Sequence, residues 1–251
     1  MSFVNKTVLV TGASSGIGAA TAIEFAKEGA TVALVGRNEK KLLKIAEQID
    51  QIGAKYLVIK ADVSEDQDTK RIIEEVIRKL SKLDVLVNNA GLITFGSILD
   101  GRILEAFDSV MKVNIRAHIN ITNLAAPHLI KSKGNIVNVS SVVGTQTGTI
   151  GMTPYCITKA ALSHFSRCAA FELAEKGVRV NTVSPGPVAT DILENAGLGS
   201  TKMEDVLPET PLKRVSDSVE VANVILFLAS AKANGITGSE YIIDNGWSVK
   251  N

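Results

Sequence analysis

Thr7-Val8-Leu9-Val10 runs straight into Thr11-Gly12-Ala13-Ser14-Ser15-Gly16-Ile17-Gly18, and then into Ala19-Ala20-Thr21-Ala22-Ile23-Glu24-Phe25-Ala26. A β-branched apolar run, a glycine-rich turn and a segment of helical period follow one another without a gap. Glycines at such a junction permit a tight turn and a close backbone approach to a ligand. The free N–H groups and positive dipole end of the following helix attract a pyrophosphate. The stretch reads as a dinucleotide cradle. An ordinary strand-to-helix turn also accounts for its glycines, because Gly-x-x-x-Gly-x-Gly is not the commoner Gly-x-Gly-x-x-Gly.

Working outward, the same alternation repeats to the C-terminus. Apolar runs predict strands at 7–10, 31–35, 55–60, 85–88, 135–140, 179–183 and 241–243, and helical periods predict helices at 17–28, 39–51, 66–79, 102–130, 154–176 and 217–228. Strands this continuously apolar belong to a parallel sheet covered by helices on both faces. The predicted fold is therefore α/β, a doubly wound seven-stranded parallel sheet. Gly29, Gly134 and Gly177 mark helix ends, and Pro154 suits a first helical turn. The 251 residues form one domain over 1–251, since no repeat or low-complexity linker divides them.

Lys plus Arg number 27 against 26 Asp plus Glu, so the +1 net charge offers nucleic acid or anionic lipid no global attraction. No apolar run reaches membrane-spanning length, and residues 1–6 lack a signal-peptide pattern. Cys156 and Cys168 form no disulfide framework. We expect a soluble cytoplasmic protein with a small-molecule ligand and neither nucleic acid nor membrane as partner.

The end of the second strand chooses between cofactors. An acidic residue there holds the ribose hydroxyls of NAD. Here the chain reads Val35-Gly36-Arg37-Asn38, with no carboxylate before Glu39. Arg37 can fork onto a 2′-phosphate for which Gly36 leaves room, which predicts NADP(H). A solvated arginine opening a charged helix is the plainer alternative. Lys40, Lys41 and Lys44 form a basic helix face, with help for that phosphate as the lesser reading.

Tyr155-Cys156-Ile157-Thr158-Lys159 sets a tyrosine and a lysine four residues apart on one helical face. A free tyrosine titrates at about 10, and an adjacent ammonium stabilises the phenolate. Tyr155 becomes a general acid or base, and Ser141 could donate to a substrate carbonyl oxygen. Asn88 to Gly91 and Asn138 to Ser141 lie at predicted strand ends, where an open parallel sheet places its ligands, and Asn114 lies within the long predicted helix at 102–130. Asn88 and Ser140 read more simply as residues that satisfy turns and backbone.

Taken together, Thr11 to Gly18, Asp62-Val63, Asn88 to Gly91, Asn114, Ser141, Tyr155 with Lys159, and Asn181 to Thr190 follow in the order found in the short-chain dehydrogenase/reductase family, which the chain resembles over nearly its whole length. The resemblance implies a single Rossmann-like domain whose catalytic tetrad is Asn114, Ser141, Tyr155 and Lys159. It implies that Tyr155 protonates the carbonyl oxygen, Ser141 orients it, Lys159 also binds the ribose, and Asn114 holds a relay water. It gives the cofactor Gly12, Ser14, Ser15, Gly16, Ile17, Gly18, Arg37, Asn38, Asp62, Val63, Asn89, Ala90, Gly91, Tyr155, Lys159, Pro185, Gly186, Val188 and Thr190. It also implies a homo-oligomer, a tetramer or dimer, built on the helices at 102–130 and 154–176. The expected activity is NADP(H)-dependent interconversion of a ketone or aldehyde and an alcohol.

Residues 190–214 carry glycines and prolines among apolar residues and read as a substrate lid, or else as a plain surface connection. Ile192, Leu193, Leu198, Met203, Val206 and Leu207 would offer an apolar secondary ketone of sterol or terpenoid type a greasy surface. A 3-oxoacyl thioester is the alternative, its carrier docking on Arg116, Lys131, Lys133 or Arg167. A non-catalytic NADPH-binding regulator is the alternative from another class, against which the complete tetrad argues. Ser141 stands 14 residues before Tyr155 where the family commonly has 13, and Asp244-Asn245-Gly246 replaces Asp-Gly-Gly. His118, His128 and His164 show no metal-binding spacing, and Cys156 reads as a small buried hydrophobe.

Overall fold

A computed structural model describes residues 2–199 and 210–250. Among the described residues seven strands form one sheet: β1 (Thr7–Thr11), β2 (Thr31–Gly36), β3 (Tyr56–Lys60), β4 (Val85–Asn88), β5 (Asn135–Val139), β6 (Arg179–Pro185) and β7 (Glu240–Ile243). All neighbours pair in parallel, in the order β3-β2-β1-β4-β5-β6-β7. The chain therefore winds outward from β1 in one direction, returns, and winds outward in the other. The connections after β1 and β4 diverge at their carboxyl ends, and a crevice opens between them.

The period of two along each strand distributes the core between both faces. Val8 and Val10 point to one side, where they meet Phe25 of α1 (Gly16–Lys27), Leu42 and Ile49 of α2 (Glu39–Gln51), and the last long helix. Leu9, Leu86 and Ile136 point to the other, against Ile72 and Val76 of α3 (Asp66–Leu80) and the central helices. Every one of these side chains is buried, which is why the strands read as unbroken apolar runs.

The segment predicted as one helix at 102–130 is divided. It comprises α4 (Ile103–Met111), a single π turn at Lys112–Arg116, and α5 (Ala117–Ser132). The Ala117 N–H reaches back to the Lys112 carbonyl, one residue beyond the α-helical partner. Among the described residues the remaining α-helices are α6 (Thr153–Ala174), α7 (Ile192–Asn195), α8 (Ser218–Ala229) and α9 (Trp247–Lys250). No described helix is long and apolar enough to cross a membrane.

Gly29 and Gly177 end their helices in the left-handed region, at φ 88° and 76°. Gly134 does not: Lys133 takes that conformation, at φ 48°. Gly134 is required for space instead, since a Cβ there would lie 2.3 Å from the Asp84 carbonyl oxygen. Of the predicted lid, Ile192, Leu193 and Leu198 are described, whereas Met203, Val206 and Leu207 lie outside the described residues.

Candidate active site

A cleft of about 700 Å³ lies along the carboxyl ends of the strands. Its floor is the glycine turn. Gly12 and Gly16 adopt φ 66° and 53°, and a Cβ on Gly12 would stand 2.8 Å from the Asn89 amide nitrogen. Gly18 serves packing rather than lining: its Cβ would sit 2.2 Å from the Gly12 carbonyl oxygen, so helix and turn close only without one. Thr11, which opens the motif but was given no role of its own, ties β1 to β4 by accepting from the Asn89 and Ala90 N–H groups and donating to the Val87 carbonyl. Asn89 answers by donating to the carbonyls of Thr11 and Gly12. The turn is thus held from two strands, and at Gly12 and Gly16 its backbone faces the cleft without a side chain, as a phosphate cradle requires.

Gly12, Ser14, Ser15, Gly16, Ile17, Arg37, Asn38, Asp62, Val63, Asn89, Ala90, Gly91, Pro185, Gly186, Val188 and Thr190 all line this cleft. The ends of five strands, β1 to β4 and β6, bring them there. Arg37 is 67% exposed and reaches Asp62 at 3.7 Å, so its guanidinium is loosely held beside Gly36. A Cβ on Gly36 would meet the Ser14 hydroxyl at 3.4 Å. A hydroxyl, an exposed guanidinium and a bare backbone at the end of β2 fit an adenosine 2′-phosphate.

Tyr155 and Lys159 rise from the first turns of α6 on one face, both buried and both lining the cleft. The Lys159 ammonium lies 5.5 Å from the Tyr155 ring centroid and donates to the Val139 carbonyl at 2.9 Å. Burial depresses the lysine to about 8. The same burial pushes the phenol above its usual value, opposed by a hydrogen bond with the Ser141 side chain. The lowering of Tyr155 by Lys159 that the spacing suggests is not among the influences on the phenol here; burial dominates, and the phenol is a protonated acid at neutral pH.

Asn114 sits in the π turn, fully buried, and does not line the cleft. Its amide donates to the Leu92 carbonyl at 2.9 Å and to the Thr158 hydroxyl at 3.1 Å, and its oxygen accepts from Leu92 N–H at 2.9 Å. Thr158 in turn donates to the Tyr155 carbonyl. The side chain clamps the wall at residues 91–92 to the tyrosine's own helix. Ser140 donates to the Lys159 carbonyl, and Asn88 donates to Asn138 and Thr122. Those two are structural, as their residue types indicate.

Beyond Tyr155 the walls come from residues without a motif: Phe95, Gln146, Thr149, Met152, Leu198 and Trp247. The longer spacing after Ser141 is taken up in a loop at 145–152 that contributes Gln146 to Thr149 to this end. Asn245 takes φ 53°, as an asparagine can, and its amide donates to Ser216 and to the Arg214 carbonyl. The asparagine is thus more than a tolerated exchange, because it ties the β7 turn to the segment that returns from the cleft.

His118 is fully buried; one ring nitrogen lies 2.8 Å from the Ala90 carbonyl, and burial with the nearby Lys159 charge lowers it to about 3. His164 is exposed and His128 half-buried. Among the described residues no group of three or more His, Cys, Asp or Glu gathers to hold a metal ion. Cys156 is half-buried rather than buried, and burial pushes its thiol up, away from the reactive thiolate.

Residues 12–248 match the family described as Enoyl-(Acyl carrier protein) reductase. The 3-oxoacyl-[acyl-carrier-protein] reductase of Thermotoga maritima is 39% identical over 247 residues, 98% of this chain and 99% of that one. A Burkholderia cenocepacia short chain dehydrogenase solved with NADP superposes with a TM-score of 0.89 at 30% identity, covering 99% of this chain and 100% of that one. A 7α-hydroxysteroid dehydrogenase complexed with NADH and 7-oxoglycochenodeoxycholic acid gives 0.89 at 29%, covering 98% and 95%.

Proposed function

The chain belongs to the short-chain dehydrogenase/reductase family, and from that premise we propose that it reduces a ketone to a secondary alcohol with NADPH, Tyr155 being the proton donor. The observation that carries this reading is the convergence of Ser141, Tyr155 and Lys159 on one end of a cleft whose other end holds Arg37.

When bound, a reduced nicotinamide supplies the hydride. The chain supplies the rest. Tyr155, held protonated by burial, passes its proton to the carbonyl oxygen as negative charge develops there. Ser141, beside the phenol, donates a hydrogen bond to the same oxygen and fixes its direction. Lys159 presents a positive charge behind Tyr155 and lines the cleft, where it would hold the cofactor's ribose. Asn114 acts as a positioning residue, since its amide is committed to Leu92 and Thr158. Ser14, Arg37 and Asn38 would hold the 2′-phosphate, and the glycine turn would receive the pyrophosphate.

For the substrate, the named relative supports a 3-oxoacyl thioester ahead of the sterol or terpenoid ketone. The ring-ketone reading keeps support from the apolar end formed by Phe95, Met152, Leu198 and Trp247, and from the steroid dehydrogenase likeness. Of the basic residues considered for docking a carrier, Arg116 is engaged by both oxygens of Asp66, which leaves Lys131, Lys133 and Arg167, all exposed. We place the protein in the cytoplasm and expect it to work as a homo-oligomer.

NADPH consumption with a 3-oxoacyl thioester, a steroid ketone and a small diketone tests the reading, with Tyr155→Phe alongside. Turnover that falls by roughly 10²–10⁴-fold in the variant, with NADPH binding kept, is the expected result. Turnover retained by the variant would overturn the assignment of Tyr155.

A further inference from the structure

The wall that carries Arg37 holds a second cation. Lys41, in the first turn of α2, donates to Asp191 at 2.6 Å, and both line the cleft with 41% and 36% of their side-chain surface exposed. Asp191 follows Thr190, whose methyl carbon stands 2.9 Å from where a Cβ on Gly16 would lie. The chain leaving β6 therefore passes over the glycine turn and ends in an ion pair on the opposite wall. A Cβ on Gly36 would meet both Ser14 and Leu42 at 3.4 Å, which sets Ser14 and Arg37 beside the turn that carries Lys41; among the described residues the ion pair of Arg37 is with Asp62 at 3.7 Å.

Resting on the NADP(H) reading above, we infer that Lys41 is a second determinant of preference for the 2′-phosphate, and that Asp191 competes with this phosphate for it. A phosphate among Ser14, Arg37 and Lys41 is attracted by the ammonium and repelled by the carboxylate. The 2′-hydroxyl of NADH carries no charge and responds to neither. Asp191 raises the lysine above its ordinary value, so the cation persists throughout the neutral range. The two partners therefore push selectivity in opposite directions. An ion pair that merely braced the cleft would behave otherwise, because breaking it from either side would weaken both dinucleotides alike.

Titration of NADPH and NADH separates these cases, read by quenching of Trp247, the single tryptophan, which lines the cleft. Lys41→Met is expected to weaken NADPH roughly tenfold and to move NADH by less than about twofold. Asp191→Asn is expected to tighten NADPH about threefold with NADH little changed, and Lys41→Arg to restore most of the NADPH affinity. Equal shifts for the two dinucleotides, or an Asp191→Asn variant that fails to tighten NADPH, would overturn the competition. A Lys41→Met variant keeping the full NADPH preference would remove Lys41 while leaving the Arg37 assignment standing. Tighter binding of NADH than NADPH by the unsubstituted protein would overturn the NADP(H) reading itself.

Discussion

At the scale of single residues, burial dominates the chemistry. Lys159, with an ordinary value of 10.5, titrates at about 8 because its ammonium is taken out of water. The ammonium is present below that pH and lost above it, while Tyr155 stays protonated throughout. Reduction is therefore expected to hold steady from pH 6 to 7.5 and to decline as pH rises through about 8. A pH profile of kcat/KM for the reduction checks this; a descending limb only above about 10 would rule the lysine out. His118 gives a stability counterpart. Its folded value near 3 lies below its ordinary 6.5, so the unfolded chain binds a proton that the folded chain refuses. The stability this contributes is complete above pH 6.5 and is lost as pH falls from 6.5 towards 3, by at most on the order of 5 kcal/mol. Urea denaturation at several acidic pH values should show a steeper loss in the native sequence than in His118→Phe. The reactive pair was legible because a four-residue spacing survives in any helix. Thr158 and His118 were not, since their partners Asn114 and Ala90 are distant in sequence and a lone histidine carries no spacing signal.

Helices and strands were legible to within a few residues because the apolar runs and periods that mark them are local. The π turn was not, because one extra residue per turn leaves the apolar pattern of 102–130 nearly intact. Glycines divide similarly: a left-handed stop such as Gly177 follows from local rules, whereas Gly134 depends on Asp84, fifty residues earlier in the chain. The contrast between Gly18 and Gly134 is testable. Alanine at either places a methyl group against a carbonyl oxygen, at 2.2 or 2.3 Å, and overpacking of this kind costs roughly 1–3 kcal/mol. Melting temperatures should fall by about 3–10 °C in both variants. Gly134→Ala, far from the cleft, should keep its NADPH affinity, and Gly18→Ala should lose it as the turn is displaced. Equal affinities in the two would show that the turn tolerates the shift.

For the whole molecule, the reversal of strand order beside β1 gathers residues from positions 12 to 247 into one cleft, and the glycine turn with its repeating units was enough to foresee that gathering. The apolar end of the cleft was illegible for the opposite reason, since Phe95, Met152 and Trp247 belong to no motif and come to it from segments far apart in the chain. The outer face of α6 raises a last question at this scale. Ile157, His164, Cys168 and Phe171 recur at helical spacing and are all exposed, Phe171 by 86%; Leu104 on α4 is 71% exposed. An apolar stripe left in water costs free energy that a second copy of the chain would recover by covering it. Phe171→Asp places a charge in the middle of that stripe, where burial against a partner would leave it unpaired. Sedimentation or size-exclusion measurements should show the native chain as a dimer or tetramer and the variant as a smaller species with an unchanged circular dichroism spectrum. A variant that assembles like the native chain would place the contact on another face, and a native monomer would leave the stripe to a different partner.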